Sequence, residues 1–416
     1  MADTTARRAP TPGADIPAAA AAAWRNALFV IFFLAGIGLA SWVSRVPAVR
    51  DVLGASTLEM GVLIFGLAAG SIIGLLASSH VLARFGARIT ILACLIAGPI
   101  GFVLAGVGAS VGPNFWVIFA GLAVFGAGCG MCDVAMNVSG AANERVLGRT
   151  VMPLYHAAFS LGTVAGAGTG ALAEGIDMPI VLHTAVVSAF MIAAAVVSTR
   201  YLLHENVAHD TPDADGDEPE STWRGRLAIW RDPRTILIGL IILGMAFAEG
   251  SANDWLALAM VDGYGVDNTT GALVFGVFVT AMTVGRVAGV PLLDRYGRVP
   301  VLRVSAVLAA VGLLLVIFGP APVVAIVGVI LWGLGSALGF PVGMSAAADD
   351  SRTAGARVSA VATIGYCAFL VGPPAIGFLG EHFGLLNGLL VVLLLVAVAG
   401  VVSGSAREPK RARRLA

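Results

Sequence analysis

The chain has 416 residues, of which 58% are hydrophobic and only 12% charged, with 53 glycines and a formal net charge of zero. Soluble domains carry about twice that charged share, so the composition argues against a water-soluble domain and indicates a membrane protein. There is no net positive charge and no basic face interleaved with aromatic residues. The expected partners are therefore the lipid bilayer and a small-molecule substrate, and not nucleic acid.

Twelve apolar stretches follow a tail (residues 1–23) whose Ala-, Pro- and Thr-rich composition predicts disorder. Each stretch has about the 20 residues that a helix needs to cross the hydrocarbon core. The sequence therefore predicts an all-α membrane protein with helices near 25–48, 57–81, 89–109, 114–140, 150–173, 178–203, 235–261, 271–292, 299–319, 321–347, 356–380 and 384–404.

Arginine is distributed unevenly between the predicted loops. If the N-terminus is cytoplasmic, the external loops hold only Arg45 and Arg50, whereas the internal loops and the tail (405–416) hold nearly all other basic residues. The positive-inside rule then predicts a multi-pass protein of the inner (plasma) membrane with both termini in the cytoplasm.

The end of the first span reads Trp42-Val43-Ser44-Arg45-Val46-Pro47. An arginine here could simply extend to the outer headgroups. Because its position opposes the charge bias, we also consider it a clamp for a polar ligand at the mouth of a cavity. We predict an external gate formed by Trp42, Arg45 and, from the seventh span, Asp254.

The fourth span contains a carboxylate, Asp133, which is costly in a membrane and indicates function. Asn137 follows four residues later on the same helical face. Counting from the connecting turn places His156 of the fifth span at the depth of Asn137. These three side chains are predicted to form one polar cluster, although a structural network between two helices is the alternative.

A polar, acidic stretch (204–233) separates the two sets of spans and is predicted to be a cytoplasmic linker. The expected organisation is a tail (1–23), a first half (24–203), the linker, a second half (234–404) and a basic tail (405–416).

The seventh span is interrupted by Glu249-Gly-Ser-Ala-Asn253-Asp254-Trp255, which suggests local unwinding beside a water-filled cavity. Carboxylate and amide groups next to aromatic rings suit a hydroxylated or aminated small molecule. We predict that the substrate-binding residues are Asn137, Glu249, Asn253, Trp255 and Tyr366. Phe340-Pro341 and Gly372-Pro373-Pro374 are expected to kink helices or to line the cavity.

The two halves repeat each other. Gly126-x-Gly128 with Glu144-Arg145 returns 207 residues later as Gly333-x-Gly335 with Ser351-Arg352, and Arg84-Phe85-Gly86 returns as Arg295-Tyr296-Gly297. The repeated unit is a six-helix bundle, and duplicated six-helix halves are typical of one large class of transporters.

Asp294-Arg295-Tyr296-Gly297-Arg298 resembles the Gly-x-x-x-Asp-Arg-x-Gly-Arg loop of the major facilitator superfamily. The first copy has Ala83 in place of the aspartate. The resemblance implies a conformational latch formed by Arg84, Arg88, Asp294, Arg295 and Arg298.

The Trp42, Asp133, His156 and Glu249 segments together resemble the MosC-like branch of that superfamily, which is linked to export or uptake of a sugar-like amine. Asp133-x-x-x-Asn137 is also similar to Glu-x-x-x-Asn of the fucose-permease-like proton symporters. This similarity implies that Asp133, with His156 beside it, carries the coupled proton. The Gly-Pro pair of the drug-antiporter signature is missing from the fifth span.

We therefore expect a monomeric secondary transporter for a small polar solute, sugar-like or amine-bearing, with the proton gradient as its energy source and no cofactor. The chain has no Walker-type phosphate-binding sequence and no assembled nucleophile, base or metal-ligand set, so an enzyme is not expected. A proton-driven efflux antiporter for an amphipathic compound and a non-transporting membrane receptor or regulator are the alternatives.

Overall fold

The structure, a computed structural model, describes residues 16–148, 151–203, 229–349 and 354–408. In these segments the chain is almost entirely helical and forms no strand. Most of the predicted linker and parts of both predicted tails lie outside the described residues.

The first half contributes six membrane-spanning helices, α1 to α6, of which α2 and α3 are parts of one long helix, Thr57–Ser110. Their bounds are Ala18–Val43, residues 57–85, residues 87–110, Phe115–Leu147, Met152–Gly175 and Ile180–Ser198. A short helix, Val46–Leu53, follows α1.

The second half contributes α7 to α12. Their bounds are Pro233–Tyr264, Asn268–Tyr296, Arg298–Phe318, Pro322–Ser336, Ala354–Phe383 and Leu390–Val402. A second helix, Gly339–Ala347, continues α10 after a break that lies just before the predicted kink at Phe340-Pro341. Helix α11 runs through Pro373 and Pro374 without interruption.

Ten helices among the described residues are long and apolar enough to cross a membrane. The 54-residue helix Thr57–Ser110 counts once in that number although it contains two spans, and the less apolar α5 is not included. Counting α2 and α3 separately and adding α5 gives twelve spans. The predicted all-α, twelve-span fold is confirmed.

Glycine with a positive φ separates spans at equivalent places in the two halves. Gly86 has φ 73° and ψ 167° between α2 and α3, and Gly297 has φ 77° and ψ 173° between α8 and α9. Residues with a Cβ atom adopt this conformation only with strain, which explains why the repeated Arg-x-Gly sequence keeps its glycine.

Helix α1 begins at Ala18, before the predicted start of the first half at residue 24. Residues 18–23 are all alanine, the residue with the highest helix propensity, so the helix extends into the segment predicted to be disordered.

The predicted unwinding of the seventh span is wrong. Helix α7 is continuous from Pro233 to Tyr264, and the Ser251 hydroxyl donates to the Phe247 carbonyl at 2.5 Å within it. Gly250 has a packing role instead, because a Cβ atom there would lie 3.0 Å from the Phe369 ring of α11.

Both halves keep their chain ends at one face, which we call the terminal face. There the Asn143 amide donates to the Ala21 carbonyl at 3.1 Å, and the Arg234 guanidinium donates to the Arg407 carbonyl at 3.1 Å. The other face is called the opposite face. The even number of spans places the ends of the described chain on one side of the membrane.

The two halves meet at the opposite face. Arg50 pairs with Asp262, and the Asn268 amide donates to Asp51 at 2.9 Å. Close backbone approach adds to this closure, since a Cβ atom on Gly61 would lie 3.2 Å from the Cα atom of Gly377. The structure is therefore closed at the opposite face.

Helices α2 and α4 pack with their backbones in direct contact. A Cβ atom at Gly70 or Gly74 would overlap the carbonyl oxygen of Ala123 or Ala127, and one at Gly126 would overlap the carbonyl oxygen of Leu67. Small residues allow this approach, which is the usual way in which helices associate in a bilayer. The glycine-rich run of the fourth span thus fixes the position of α4.

We expect Gly126→Ala to destabilise the protein by about 1–3 kcal/mol, because the added methyl group overlaps the α2 backbone, which cannot move freely. Thermal unfolding of the purified protein in detergent measures this effect. The matched control is Gly168→Ala, since a Cβ atom at Gly168 meets nothing within 4 Å. Equal melting temperatures for the two variants would contradict this account of the packing.

Candidate functional site

A cavity of about 270 Å³ lies between the halves, bounded by α1, α2 and α4 on one side and by α7 and α11 on the other. Most of its lining is apolar, with Leu39, Val43 and Ile64 among the lining residues. The polar groups that line it are few and come from both halves: Trp42, Ser71, Asn253, Asp254 and Tyr366. An apolar cavity with a few placed polar groups is the usual form of a small-molecule site.

Helix α7 presents one face to this cavity, and that face carries Gly250, Asn253 and Asp254. Trp255 is the next residue, and helical rotation directs it elsewhere. It is fully buried, and a Cβ atom on Gly377 would lie 3.3 Å from its ring. In this conformation two of the predicted substrate-binding residues, Asn253 and Tyr366, line the cavity, whereas Trp255, Glu249 and Asn137 do not.

Asp133 and Asn137 interact as their spacing predicts. The Asn137 amide donates to the Asp133 carbonyl at 2.8 Å and to its carboxylate at 3.2 Å. Asp133 lies one helical turn beyond Cys129, a residue that lines the cavity, towards the terminal face. It lies near Tyr366 of the second half, and its side chain is exposed. The pair therefore faces the interface between the halves.

His156 is separate from that pair. Its ring packs edge-on against Phe32 with ring centroids 5.3 Å apart, and Arg286 of α8 lies near it across the interface. No hydrogen bond joins His156 to Asp133 or Asn137 within the described chain. Of the three-residue cluster predicted from the sequence, the structure thus forms only the pair of Asp133 and Asn137. His156 is separate because α5 is rotated so that this residue faces α1 and α8.

Glu249 forms an ion pair with Arg286, whose guanidinium nitrogen lies 2.8 Å from its carboxylate. Both side chains are partly buried, at 18% and 30% exposure. Arg286 is not among the site residues predicted from the sequence. The sequence nevertheless indicated that Arg286 is functional, because an arginine in the middle of an apolar span is as costly as the carboxylates that were predicted to be functional.

Arg45, one of the three residues predicted to form the external gate, is paired within its own half, whereas the other two line the cavity. The Arg45 guanidinium is within 2.9 Å of the Glu174 carboxylate and donates to the Met178 carbonyl at 2.8 Å, both in its own half. Trp42 and Asp254 line the cavity. Other residues make the contacts that close the opposite face, and they include Arg50 and Asp262. No local sequence pattern predicts that these two residues pair across the halves.

The predicted latch residues lie at the terminal face. Arg298 pairs with Asp349 at 2.7 Å, and Arg234 reaches the same carboxylate at 2.9 Å, all within the second half. Arg84 and Arg295 lie over the adjacent rings of Phe85 and Tyr296, Asp294 is exposed and Arg88 is partly buried. Among the described residues no group of three or more His, Cys, Asp or Glu side chains is placed to hold a metal ion.

Comparison with protein families gives a match to the family model described as Major Facilitator Superfamily, over residues 28–258 and 250–415. An uncharacterized MFS-type transporter of Yersinia pestis is 30% identical over 372 residues, covering 88% of this chain and 92% of the relative. The membrane protein MosC of Rhizobium meliloti is 28% identical over 379 residues, covering 89% of this chain and 88% of MosC.

Solved structures share the fold. A mutant of the nucleoside transporter NupG superposes with a TM-score of 0.75 at 15% identity, covering 92% of this chain and all of NupG (100%). A mutant of the E. coli fucose:proton symporter FucP superposes with a TM-score of 0.62 at 16% identity, covering 92% of this chain and 98% of FucP.

Proposed function

Since the chain belongs to the major facilitator superfamily, we propose that it is a proton-coupled secondary transporter that moves a small polar solute, sugar-like or amine-bearing, by alternating access. The observation that carries the proposal is the cavity between the halves, which has ionisable or hydrogen-bonding side chains on both sides and is closed at one membrane face.

The size and lining of the cavity support a small polar solute. The cavity volume of about 270 Å³ is a little below the usual range for small-molecule sites, which fits a small solute. The Asn253 amide and the Tyr366 hydroxyl can each donate and accept hydrogen bonds, which suits hydroxyl or amine groups.

Proton coupling is supported by Asp133. Its carboxylate is held by Asn137, lies close to the cavity and faces a residue of the other half. A carboxylate in such a place can take up a proton in one conformation and release it in the other, because the change between conformations alters its surroundings.

We propose that the protein lies in the inner membrane of the cell. The arginine distribution supports an orientation in which the terminal face is on the cytoplasmic side. The latch arginines Arg84, Arg88, Arg295 and Arg298 lie at the terminal face, whereas Arg50 lies at the opposite face. We propose a monomer that needs no cofactor, with the closed face directed outwards.

Reconstitution tests this function. Purified protein in lipid vesicles is given a pH gradient, and uptake is measured for a panel of monosaccharides, polyols and their amino derivatives. We expect at least one member to accumulate above its external concentration and to leak out when the gradient is dissipated. Equilibration of every member at the same rate as in empty vesicles would overturn the proposal.

Replacing Glu249 with glutamine should weaken binding of the accumulated solute about tenfold, equivalent to about 1.4 kcal/mol. The reason is that the loss of the carboxylate leaves Arg286 without its partner beside the interface of the halves. Calorimetry on the purified variant measures the dissociation constant.

The matched control for this prediction is Asp177→Asn, which also removes one carboxylate but at an exposed site. Residue 177 has φ 52°, a backbone conformation that asparagine adopts readily. Unchanged affinity in Glu249→Gln would remove Glu249 from the site. The ion pair could affect solute affinity only because each residue neutralises the charge of the other. In that case the double variant, Glu249→Gln with Arg286→Gln, should bind the solute more tightly than either single variant.

A further inference from the structure

Two carboxyl groups near the interface of the halves, Asp133 and Asp254, have different surroundings. Asp133 accepts a hydrogen bond from the Asn137 amide at 3.2 Å, and its side chain is exposed. A donor and access to solvent stabilise a carboxylate, so Asp133 can exist in both the ionised and the neutral form, as exchange of a proton requires. Asp254 is partly buried, and it forms no hydrogen bond or ion pair within the described segments.

The cavity lining around Asp254 contains no positive charge. Its neighbours there are mainly apolar, such as Val43 of α1 and Leu67 of α2, and neither of these helices contributes a titratable side chain to the lining. Helix α4 contributes Cys129 and α11 contributes Tyr366, which are ordinarily neutral at physiological pH. None of the lining residues is lysine, arginine or histidine. An ionised Asp254 would therefore lack a counter-charge in this lining.

The arginines near these helices are already paired. Arg286 of α8 binds the carboxylate of Glu249, which lies on α7 five residues before Asp254. Arg45, which follows α1, is within 2.9 Å of the Glu174 carboxylate. An isolated charge in apolar surroundings is so unfavourable that a carboxyl group there takes up a proton instead.

We propose that Asp254 is a solute-binding residue that acts in its neutral, protonated form, donating a hydrogen bond from its carboxyl O–H group to an oxygen atom of the solute. This inference rests on the proposed transport function and adds to it a carboxyl group whose proton stays with the protein. Some enzymes likewise use an apolar site to keep a carboxylic acid neutral, so that it serves as a hydrogen-bond donor. Asp133 is the group whose proton is exchanged.

A neutral Asp254 leaves the whole lining uncharged, which affects the choice of solute. Ser71 of α2, Asn253 of α7 and Tyr366 of α11 offer further hydrogen-bond donors in the same lining. Hydroxyl or carbonyl oxygens of a solute can accept from these groups. An ion of either sign would bring an unbalanced charge into an apolar cavity, which is costly. Asp254 therefore favours uncharged solutes over ions of the same size.

Infrared spectroscopy tests the protonation state of Asp254 without any solute. The C=O stretch of a protonated carboxyl group absorbs apart from the bands of a carboxylate. Spectra of the purified protein in lipid vesicles are recorded at neutral pH, and the spectrum of Asp254→Asn is subtracted from that of the unmodified protein. We expect the difference to contain the band of a protonated carboxyl group. A difference with carboxylate bands only would overturn the proposal.

Two further variants are the controls for these spectra. Glu249→Gln removes a carboxylate that is paired with Arg286, and Asp177→Asn removes an exposed one. Both differences should contain carboxylate bands. If the protonated band also appeared in the Asp177→Asn difference, it would not originate from Asp254, and the assignment would be overturned.

Binding distinguishes a donor from an acceptor at position 254. Asparagine keeps an N–H donor in a side chain of the same size, whereas leucine has neither donor nor acceptor. The probe is the monosaccharide or polyol that accumulates in vesicles, and calorimetry measures its dissociation constant. We expect Asp254→Asn to lower the affinity about threefold at most and Asp254→Leu to lower it about tenfold. Equal losses in the two variants, or no loss in either, would overturn the role of Asp254 as a donor.

Transport measurements separate this inference from the proposed function. Because Asp254→Leu weakens binding, it should lower accumulation and solute exchange in parallel, whereas Asp133→Asn should lower accumulation alone. Loss of accumulation with full exchange in Asp254→Leu would make Asp254 the carrier of the transported proton, which would overturn the inference and leave transport intact. If no solute accumulated although the protonated band were present, transport would be overturned, and calorimetry with the same panel would still decide whether Asp254 donates to a bound solute.

Discussion

Transport should stop when the opposite face is covalently held closed. Gly175 at the end of α5 faces Thr269 at the start of α8, and a Cβ atom on Gly175 would lie 3.6 Å from the Thr269 Cγ2 atom and 3.8 Å from its Oγ1 atom. The Cγ2 and Oγ1 atoms of Thr269 occupy the places that a cysteine sulfur would take, so cysteines at the two positions would bring their thiols close together. Gly175→Cys combined with Thr269→Cys, with the four native cysteines replaced, should therefore crosslink the halves on oxidation.

We expect oxidation to abolish gradient-driven uptake and a reducing agent to restore it, because the solute cannot reach the cavity from the opposite face while α5 and α8 are joined. Uptake into vesicles before and after reduction measures the effect. The two single-cysteine variants, treated with the same oxidant, are the controls and should keep their activity. A crosslinked protein that still accumulates solute would mean that the halves do not separate at this face.

Asp133→Asn should abolish accumulation but keep binding. Asparagine preserves the size of the side chain and can still hydrogen-bond to Asn137, yet it cannot carry a proton at physiological pH. Without the proton step, a pH gradient no longer drives net movement. We expect gradient-driven accumulation to fall at least 100-fold, whereas exchange of labelled for unlabelled solute across the vesicle membrane continues.

The control for this variant is Asn137→Ala, which removes the partner of Asp133 but not its carboxylate. It should lower the rate of accumulation and shift its dependence on pH without eliminating coupling. If Asp133→Asn still accumulates solute against a gradient, the proton is carried elsewhere, and Glu249 is the next candidate.

Much of the fold is predictable from the sequence because it depends on local properties. Apolar length defines the twelve spans, and the repeated Arg-x-Gly loops predict the turns at Gly86 and Gly297, where φ is positive. The hydrogen bond from Asn137 to Asp133 is predictable for the same reason, since four residues of helix fix their relative position.

The predictions that failed depend on how one helix is rotated against another. His156 was expected beside Asn137 from its depth alone, but rotation of α5 brings it to Phe32 and Arg286. Trp255 was expected in the substrate site with Asn253, although residues two positions apart point to nearly opposite sides of a helix. The α7 glycine was taken for a break, whereas its role is to make room for Phe369, a residue more than a hundred positions away.

Contacts between the halves are the least predictable feature. Arg50 and Asp262, or Asp51 and Asn268, lie in helical segments of ordinary composition near the opposite face, and their pairing depends on the conformation of the whole molecule. The residues chosen for a gate from the sequence were instead those with unusual local patterns, such as Arg45. The structure ties Arg45 to Glu174 in the same half.

Coupled movement of solute and protons is the central claim, and it can be measured with the unmodified protein. Vesicles containing the protein and a trapped pH-sensitive dye are held with equal pH on both sides, and a concentration gradient of the accumulated solute is then imposed. We expect solute flow to drive a change of internal pH, which a proton ionophore abolishes and which Asp133→Asn lacks. Solute flow at the same rate without any change of internal pH would contradict it.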